Sequence, residues 1–332
     1  MKKKAVFLLG VDAFKRIYGP GQLAAINEMT EVIAPYPSAE QPAPDPSVLQ
    51  AAALVFGGWG TPGLNQDLLN RMPALQAVFY GAGSIRGIVT PEFWARNIPI
   101  TSSYAANAVP VAEFAEAQII LALKRAWPLS YAIRNQRRFG HEHVPGAYGT
   151  TVGLVALGMI GQLLAKRLQS HAVKVLAYDP FVPQAKADAL GLGVEMTSLE
   201  KLFAASEVVS LHAPNIPATK GMITRSLLAS LKPYATFINT ARGAIVDEAG
   251  MTGVLAERPD LTALLDVTYP EPPAEDSPLY TLPNVFLTPH IAGSLAGECN
   301  RMGQLAVDEC RRFINGEPLQ WAISREMAAN MA

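Results

Sequence analysis

Cysteine is nearly absent: Cys299 and Cys310 are the only two in 332 residues. They lie eleven residues apart in a segment that reads as one helix, and at the helical rise that separation is about 16 Å, far beyond disulfide reach. A disulfide framework is therefore excluded, and without a companion histidine cluster the pair makes no zinc site, so no metal is expected. They read as reduced core or interface thiols, which suits a cytoplasmic location. Charge is sparse too, at 17% of residues with a formal net charge of −1. No face has the cation excess that nucleic-acid phosphates demand, so the expected partner is a small molecule. Long hydrophobic runs are also missing, and no stretch is expected to cross a membrane. The opening "MKKKAVFLLGVDAFKR" has the lysines of a signal peptide. Its apolar run is short, lacks a small-residue cleavage site and meets Asp12, Lys15 and Arg16, so a buried first strand at about 4–10 is the expectation.

Half of the residues are apolar, and a chain of this length implies two domains. The first hundred residues alternate β-like runs ("AVFLLG", "EVIA", "ALVFGG", "QAVFYGAG", "IPITSS") with helical ones such as "LNQDLLNRM" and "TPEFWARN". That alternation is the rhythm of a parallel, doubly wound sheet. The Pro-rich stretch Ala34–Ser47 reads as a solvated loop, because the rhythm resumes after it. A helical pattern covers about Val109 to Phe139, with a break expected at Pro128. At its end Arg134, Arg137 and Arg138 read as a solvated helix end, with a phosphate site as the alternative. The rhythm restarts with strands placed at 151–155, 173–177, 207–211, 235–238, 261–265 and 285–287, the complement of a full dinucleotide-binding sheet. A helix over roughly Ser294–Asn315 closes the pattern.

One junction carries a ligand signature. "VGLVALGMIG" runs from the first strand of the second set through Gly158 into a helix beginning Met159, Ile160, Gly161. Such a turn offers unpaired N–H groups and a positive dipole end to a diphosphate. Gly158 permits close approach of phosphates and Gly161 close packing of helix on strand. Ala156 stands where the tight turn usually has glycine; an alanine there is comfortable at negative φ, which is the expectation. Asp179 ends the next strand, eighteen residues after Gly161, where a carboxylate accepts ribose hydroxyls and repels a 2′-phosphate. The cofactor expected is NAD, not NADP.

Further blocks follow in a fixed order: "NAVPVAEFA", "TVGLVALGMIG", "YDP", "LHAPNIPATKGMI", "LKPYATFINTARGAIVDE", "LLDVTYPEPP" and "NVFLTPHIAGS". Their order resembles the D-isomer-specific 2-hydroxyacid dehydrogenase family, closely over about Asn107 to Leu295 and more loosely before. The resemblance implies an α/β protein with two Rossmann-like doubly wound domains. A smaller, flavodoxin-like substrate domain would comprise 1–106 plus 297–332, and a larger NAD-binding domain 107–296. It implies a cleft that closes on NAD, and a homodimer, for which "EFAEAQIILAL" is a candidate interface or core helix.

Oxidising a 2-hydroxy acid removes a hydride from C2 and a proton from its hydroxyl, which calls for a base near neutral pKa. His290 matches the family's acid/base, Glu271 the carboxylate that favours the protonated imidazole, and Arg242 the guanidinium that grips the substrate carboxylate. Asp266 matches the acidic residue that orients the nicotinamide carboxamide. By the same resemblance Ala213, Pro214, Thr219, Thr240, Ala241 and Gly293 line the cofactor, together with Arg242 and His290. His212 reads as non-catalytic, and His141, His143 and His171 as surface or loop residues.

The chain departs from the family pattern in two loops, "YGAGSIRG" and "GGWGTP". The N–H groups of Gly81, Ala82 and Gly83 are expected to meet the substrate carboxylate, with Trp59 and Arg86 selecting its tail and Asn107 nearby. Packing or a dimer contact is the alternative for Trp59 and Arg86. Two other functions share the fold: an NAD(H)-sensing, corepressor-like regulator, and a phosphite- or formate-type oxidoreductase. Formate enzymes pair their histidine with glutamine, so Glu271 disfavours that choice.

Overall fold

The structure, a computed structural model, describes residues 1–331. The chain forms two compact units, one of Met1–Asn107 with Ser294 onward and one of Ala108–Gly293. The chain thus crosses at 107/108 and 293/294. Within the first unit the Asn107 side chain accepts the Ser294 N–H at 2.9 Å, tying these two positions together.

The first unit is built on a parallel sheet of β1 (Lys3–Leu8), β2 (Thr30–Val32), β3 (Leu54–Gly57), β4 (Ala77–Tyr80) and β5 (Ile100–Ser102), ordered β2-β1-β3-β4-β5. Helices α1 (Val11–Ile17), α2 (Pro20–Met29), α3 (Gln66–Arg71) and α4 (Pro91–Ala95) connect them. β3 and β4 are buried throughout because both sheet faces are covered, which is why they read as continuous apolar runs. Phe7, Phe56 and Phe79 face one core with Met302, Ala306 and Cys310 of the terminal helix Cys299–Asn315; Val6, Val55 and Val78 face the other. Both cysteines are free and buried there. The terminal helix begins at Cys299, after a short 3-10 turn over Ala296–Glu298, instead of at Ser294. A short helix over Arg325–Asn330 had no counterpart in the sequence pattern. Before it, Ala322 bridges Thr101 antiparallel, closing the free side of β5. The buried Glu309 carboxylate holds that segment by accepting the N–H groups of Gln320 (3.2 Å) and Trp321 (2.9 Å).

The second unit opens with α5 (Tyr104–Leu123), whose first residues belong to the first unit, and α6 (Ala126–Gln136). The helix break falls at Arg125, left-handed at φ 51°, three residues before the expected Pro128. Proline lacks only a hydrogen bond that the first turn of a helix does not make, so α6 accommodates it. α5 also corrects an expectation: it has 20 residues and a mean hydropathy of 1.3, long and apolar enough to span a bilayer by length and composition. Its stripe of Ala108, Ala112, Ala115, Ile119 and Ala122 is buried, and from Ala112 onward it packs in one core with Val152, Leu154 and Ile238. The helix is therefore a core element.

Seven parallel strands follow: β6 (Thr151–Val155), β7 (Lys174–Tyr178), β8 (Glu195–Met196), β9 (Val208–Leu211), β10 (Thr236–Asn239), β11 (Thr262–Leu265) and β12 (Val285–Leu287), ordered β12-β11-β10-β9-β6-β7-β8. The helices between them are α7 (Met159–Leu168), α8 (Gln184–Ala189), α9 (Leu199–Ala205), α10 (Arg225–Ala229) and α11 (Glu248–Glu257). Six strands match the sequence pattern to within one residue. β8 does not, because two partly exposed residues carry no periodicity.

Candidate active site

In a parallel sheet the turns leaving the strands' carboxyl ends converge on one edge. Here that edge belongs to β6, β7, β9, β10, β11 and β12.

The turn after β6 corrects the Ala156 expectation: its φ is +76°, left-handed. Three contacts force it. The Ala156 N–H donates to the Tyr178 carbonyl (2.7 Å) and the Leu157 N–H to Asp179 Oδ2 (2.8 Å), fixing two successive amides against β7. On the other side α7 comes so close that a Cβ on Gly161 would sit 2.2 Å from the Ala156 carbonyl oxygen. Gly158 caps α7, and a Cβ there would meet nothing within 4 Å. The amides of Met159, Ile160 and Gly161 form the first turn, so an open approach, unpaired donors and a helix dipole coincide. Asp179 has a second duty: besides Leu157, it accepts the Phe181 N–H on Oδ1 (2.8 Å). Each oxygen keeps a further acceptor position for a ribose hydroxyl. The site fits a dinucleotide.

After β9, Ala213 is buried and Thr219 donates its hydroxyl to the Pro214 carbonyl, a local turn. His212 is buried with Nε2 on Ser210 Oγ (2.9 Å), and burial drives its pKa down to about 4. It is neutral and structural. His171 is bonded to Glu116 (2.9 Å), while exposed His143 stacks on Tyr234 and His141 is exposed. Arg134 and Arg137 are exposed and Arg138 pairs with Glu142.

Arg242 stands on the turn after β10. Asn239, buried at the strand end, accepts the Ala241 N–H (3.0 Å) and donates to the Arg242 carbonyl (3.2 Å). The sequence reading missed this residue; a polar side chain closing an apolar strand just before "TARG" was the available signal. Arg242 Nη1 donates to the Ala241 carbonyl (2.6 Å). Burial lowers its pKa and the Glu271 charge opposes that shift. A guanidinium in this state remains cationic. A Cβ on Gly243 would lie 2.0 Å from the Thr268 carbonyl carbon, so the Arg242 turn presses directly on the turn that leads to Glu271. Buried Thr240 leaves its hydroxyl without a partner among the described residues.

Nineteen residues apart in sequence, His290 and Glu271 meet: Nδ1 lies 2.6 Å from Oε1, which leaves Nε2 as the ring nitrogen for a substrate. Both side chains are partly exposed, beside a cavity of about 500 Å³ lined also by Asp266, Thr268, Tyr280 and Thr288. His290 is left-handed at φ +54°. Asp266 is 3% exposed, and its carboxylate accepts Thr288 Oγ1 and the N–H groups of Ile291 and Ala292. Gly293 ends this segment.

The residues expected on the substrate side belong to the first unit. The Gly81 N–H donates to the Gly57 carbonyl (3.1 Å), continuing the β3–β4 ladder. This corrects its expected role as a donor to a substrate. The N–H groups of Ala82 and Gly83 have no backbone partner among the described residues, although Ala82 is wholly buried. Their carbonyls accept the Ser102 hydroxyl. The Trp59 side chain is partly exposed, and Arg86 is exposed on a loop whose Ile85 and Ile88 are buried. The Asn107 side-chain oxygen Oδ1 accepts the Ser294 N–H.

Comparison with known proteins adds the following. Residues 117–292 match the family described as D-isomer specific 2-hydroxyacid dehydrogenase, NAD binding domain. A D-3-phosphoglycerate dehydrogenase of Mycobacterium bovis is 34% identical over 256 residues, 76% of this chain and 48% of that protein. An (S)-sulfolactate dehydrogenase of Chromohalobacter salexigens is 34% identical over 257 residues, 76% of this chain and 81% of that protein. The chain thus spans about half the length of the phosphoglycerate dehydrogenases it matches. In fold it is similar to a D-isomer specific 2-hydroxyacid dehydrogenase of Lactobacillus delbrueckii ssp. bulgaricus in NAD-complexed form. The TM-score is 0.78 at 19% identity, covering 96% of this chain and 100% of that one.

Proposed function

Because the chain belongs to the D-isomer specific 2-hydroxyacid dehydrogenase family, we propose that it interconverts a D-2-hydroxy acid and its 2-keto acid with NAD. The observation that carries this reading is the 2.6 Å contact between His290 and Glu271, with Arg242 on a turn pressed against the Glu271 segment. A bound nicotinamide would supply or take up the hydride at C2. The amides of Met159, Ile160 and Gly161 would hold its pyrophosphate and Asp179 its adenosine ribose. Arg242 receives the substrate carboxylate. In the reductive direction His290 would donate a proton from Nε2 to the keto oxygen, with Glu271 on Nδ1 fixing how the ring is turned. Oxidation runs the same proton back to Nε2.

The reading includes a cytoplasmic location and a homodimer; the homodimer is supported by α6, none of whose residues is buried, and by exposed Leu121 and Ile133 on α5 and α6. A panel of 2-keto acids assayed with NADH and NADPH tests the function. Turnover of at least one acid, faster with NADH, and loss of about 10³-fold or more in kcat in His290→Ala are the expected results. NADH binding with no consumption of any acid would instead make the protein a sensor of the cofactor.

A further inference from the structure

We propose that Asp266 is a positioning residue for His290, acting through the backbone of residues 288–292. The inference rests on the dehydrogenase reading for its effect on turnover, but the contacts themselves are independent of it. A carboxylate as buried as Asp266 has to find partners within the protein. Its three come from one short segment: Thr288 Oγ1 at 2.5 Å and the Ile291 N–H at 2.9 Å on Oδ1, and the Ala292 N–H at 2.9 Å on Oδ2. The Asp266 carbonyl accepts a fourth bond, from the His290 N–H at 3.0 Å. These bonds fall on both sides of His290 in the chain, and His290 itself is held in the left-handed region that side chains with a Cβ avoid. Without the clamp, the segment would relax toward ordinary φ and the ring would swing.

The ring is fixed separately. Glu271 holds Nδ1, and the Glu271 segment is secured by the Tyr269 N–H on Glu248 (2.9 Å) and by Thr268 Oγ1 on the Pro270 carbonyl (2.8 Å). Asp266 thus sets where the backbone of His290 lies, and Glu271 sets how the ring turns. A carboxylate offers about four acceptor positions, and the clamp already fills three, so a nicotinamide carboxamide would find a single one left. Removing the clamp should therefore change the rate of proton transfer more than the hold on the cofactor. Misplacement by about 1 Å at a reacting group costs on the order of 10²-fold.

The test uses the full-length protein and the variants Asp266→Asn, Thr288→Val and Thr288→Ser. In D266N an amide N–H₂ faces the Ala292 donor. The expected result is a fall in kcat of about tenfold or more with KM for NADH within about twofold. T288V should lose about three- to tenfold in kcat, and T288S, which keeps the hydroxyl, should stay near wild type. A second readout needs no turnover: amide hydrogen exchange at Ile291 and Ala292 should quicken about tenfold or more in D266N, while Leu264 within β11 stays protected. The proposal is overturned if KM for NADH rises tenfold at unchanged kcat, if T288S loses as much as T288V, or if exchange at Ile291 and Ala292 is unaltered. Should D266N fail to fold, the two Thr288 variants decide by the same readouts. A wild type that reduces no 2-keto acid ends the dehydrogenase reading, and the exchange measurement then decides the clamp alone.

Discussion

Substituting Ala156 by glycine tests the turn after β6 by the sign of its effect. At φ +76° the alanine Cβ crowds the neighbouring carbonyl, at about 1–2 kcal/mol for a residue in the left-handed region. Glycine removes that cost but loses about 0.5–1 kcal/mol through the greater freedom of the unfolded chain. The net expectation is a stabilisation of about 0.5–1 kcal/mol. For a domain the size of Ala108–Gly293 this corresponds to about 1–4 °C in Tm. Scanning calorimetry of wild type and A156G, following the transition of the second unit, measures it. The turn's two anchors, the Ala156 and Leu157 N–H groups, survive the substitution, so the Kd for NADH should stay within about twofold. Had φ been negative, only the entropic loss would remain and A156G would be less stable than wild type. A fall in Tm would therefore refute the left-handed turn.

Gly161→Ala places a methyl 2.2 Å from the Ala156 carbonyl; about 1–3 kcal/mol of stability should be lost, along with NADH affinity, as calorimetry and fluorescence titration would register. His212 is neutral in the fold because burial lowers its pKa to about 4. Its contribution is complete above the unfolded value of about 6.5 and declines as pH falls from there toward 4, by about 3 kcal/mol in total. Urea midpoints from pH 7 to 4 should fall more steeply in wild type than in His212→Gln, and parallel curves would count against it. Arg242→Lys keeps the charge but loses the paired donors, so kcat/KM for the keto acid should drop by about 10²-fold or more with NADH binding nearly intact; an unchanged kcat/KM would remove Arg242 from the substrate.

Much of the fold was legible because buried parallel strands leave dense apolar runs bounded by turn residues, as "AVFLLG" and "ALVFGG" do. Elements that rest on something other than periodicity were not. β8 is too short to carry a period, and the α5–α6 break is made by a left-handed arginine whose chemistry announces nothing. The φ of Ala156 depends on α7 approaching from five residues downstream, a tertiary constraint that overrides local preference. At the candidate site, the order of the motif blocks and the family resemblance it carries pointed to Arg242, Glu271 and His290. The hydrogen bonds that hold them, from Asn239, Glu248 and Asp266, became visible only when strand ends were brought side by side. Gly81 shows the converse: a glycine beside a candidate ligand loop reads as a free donor until the ladder partner at Gly57 is known.

The extended stretch around Ala322 has a consequence for how this protein can fail. By lying against β5 it fills a row of backbone donors and acceptors that would otherwise recruit any extended peptide nearby. Glu309, sunk in the terminal helix, helps to hold it there, beside the backbone bonds to β5 and the buried side chain of Ile323. Proteolysis or substitution that frees this short stretch would leave the catalytic chemistry untouched at first, and the damage would show as self-association through the uncovered strand.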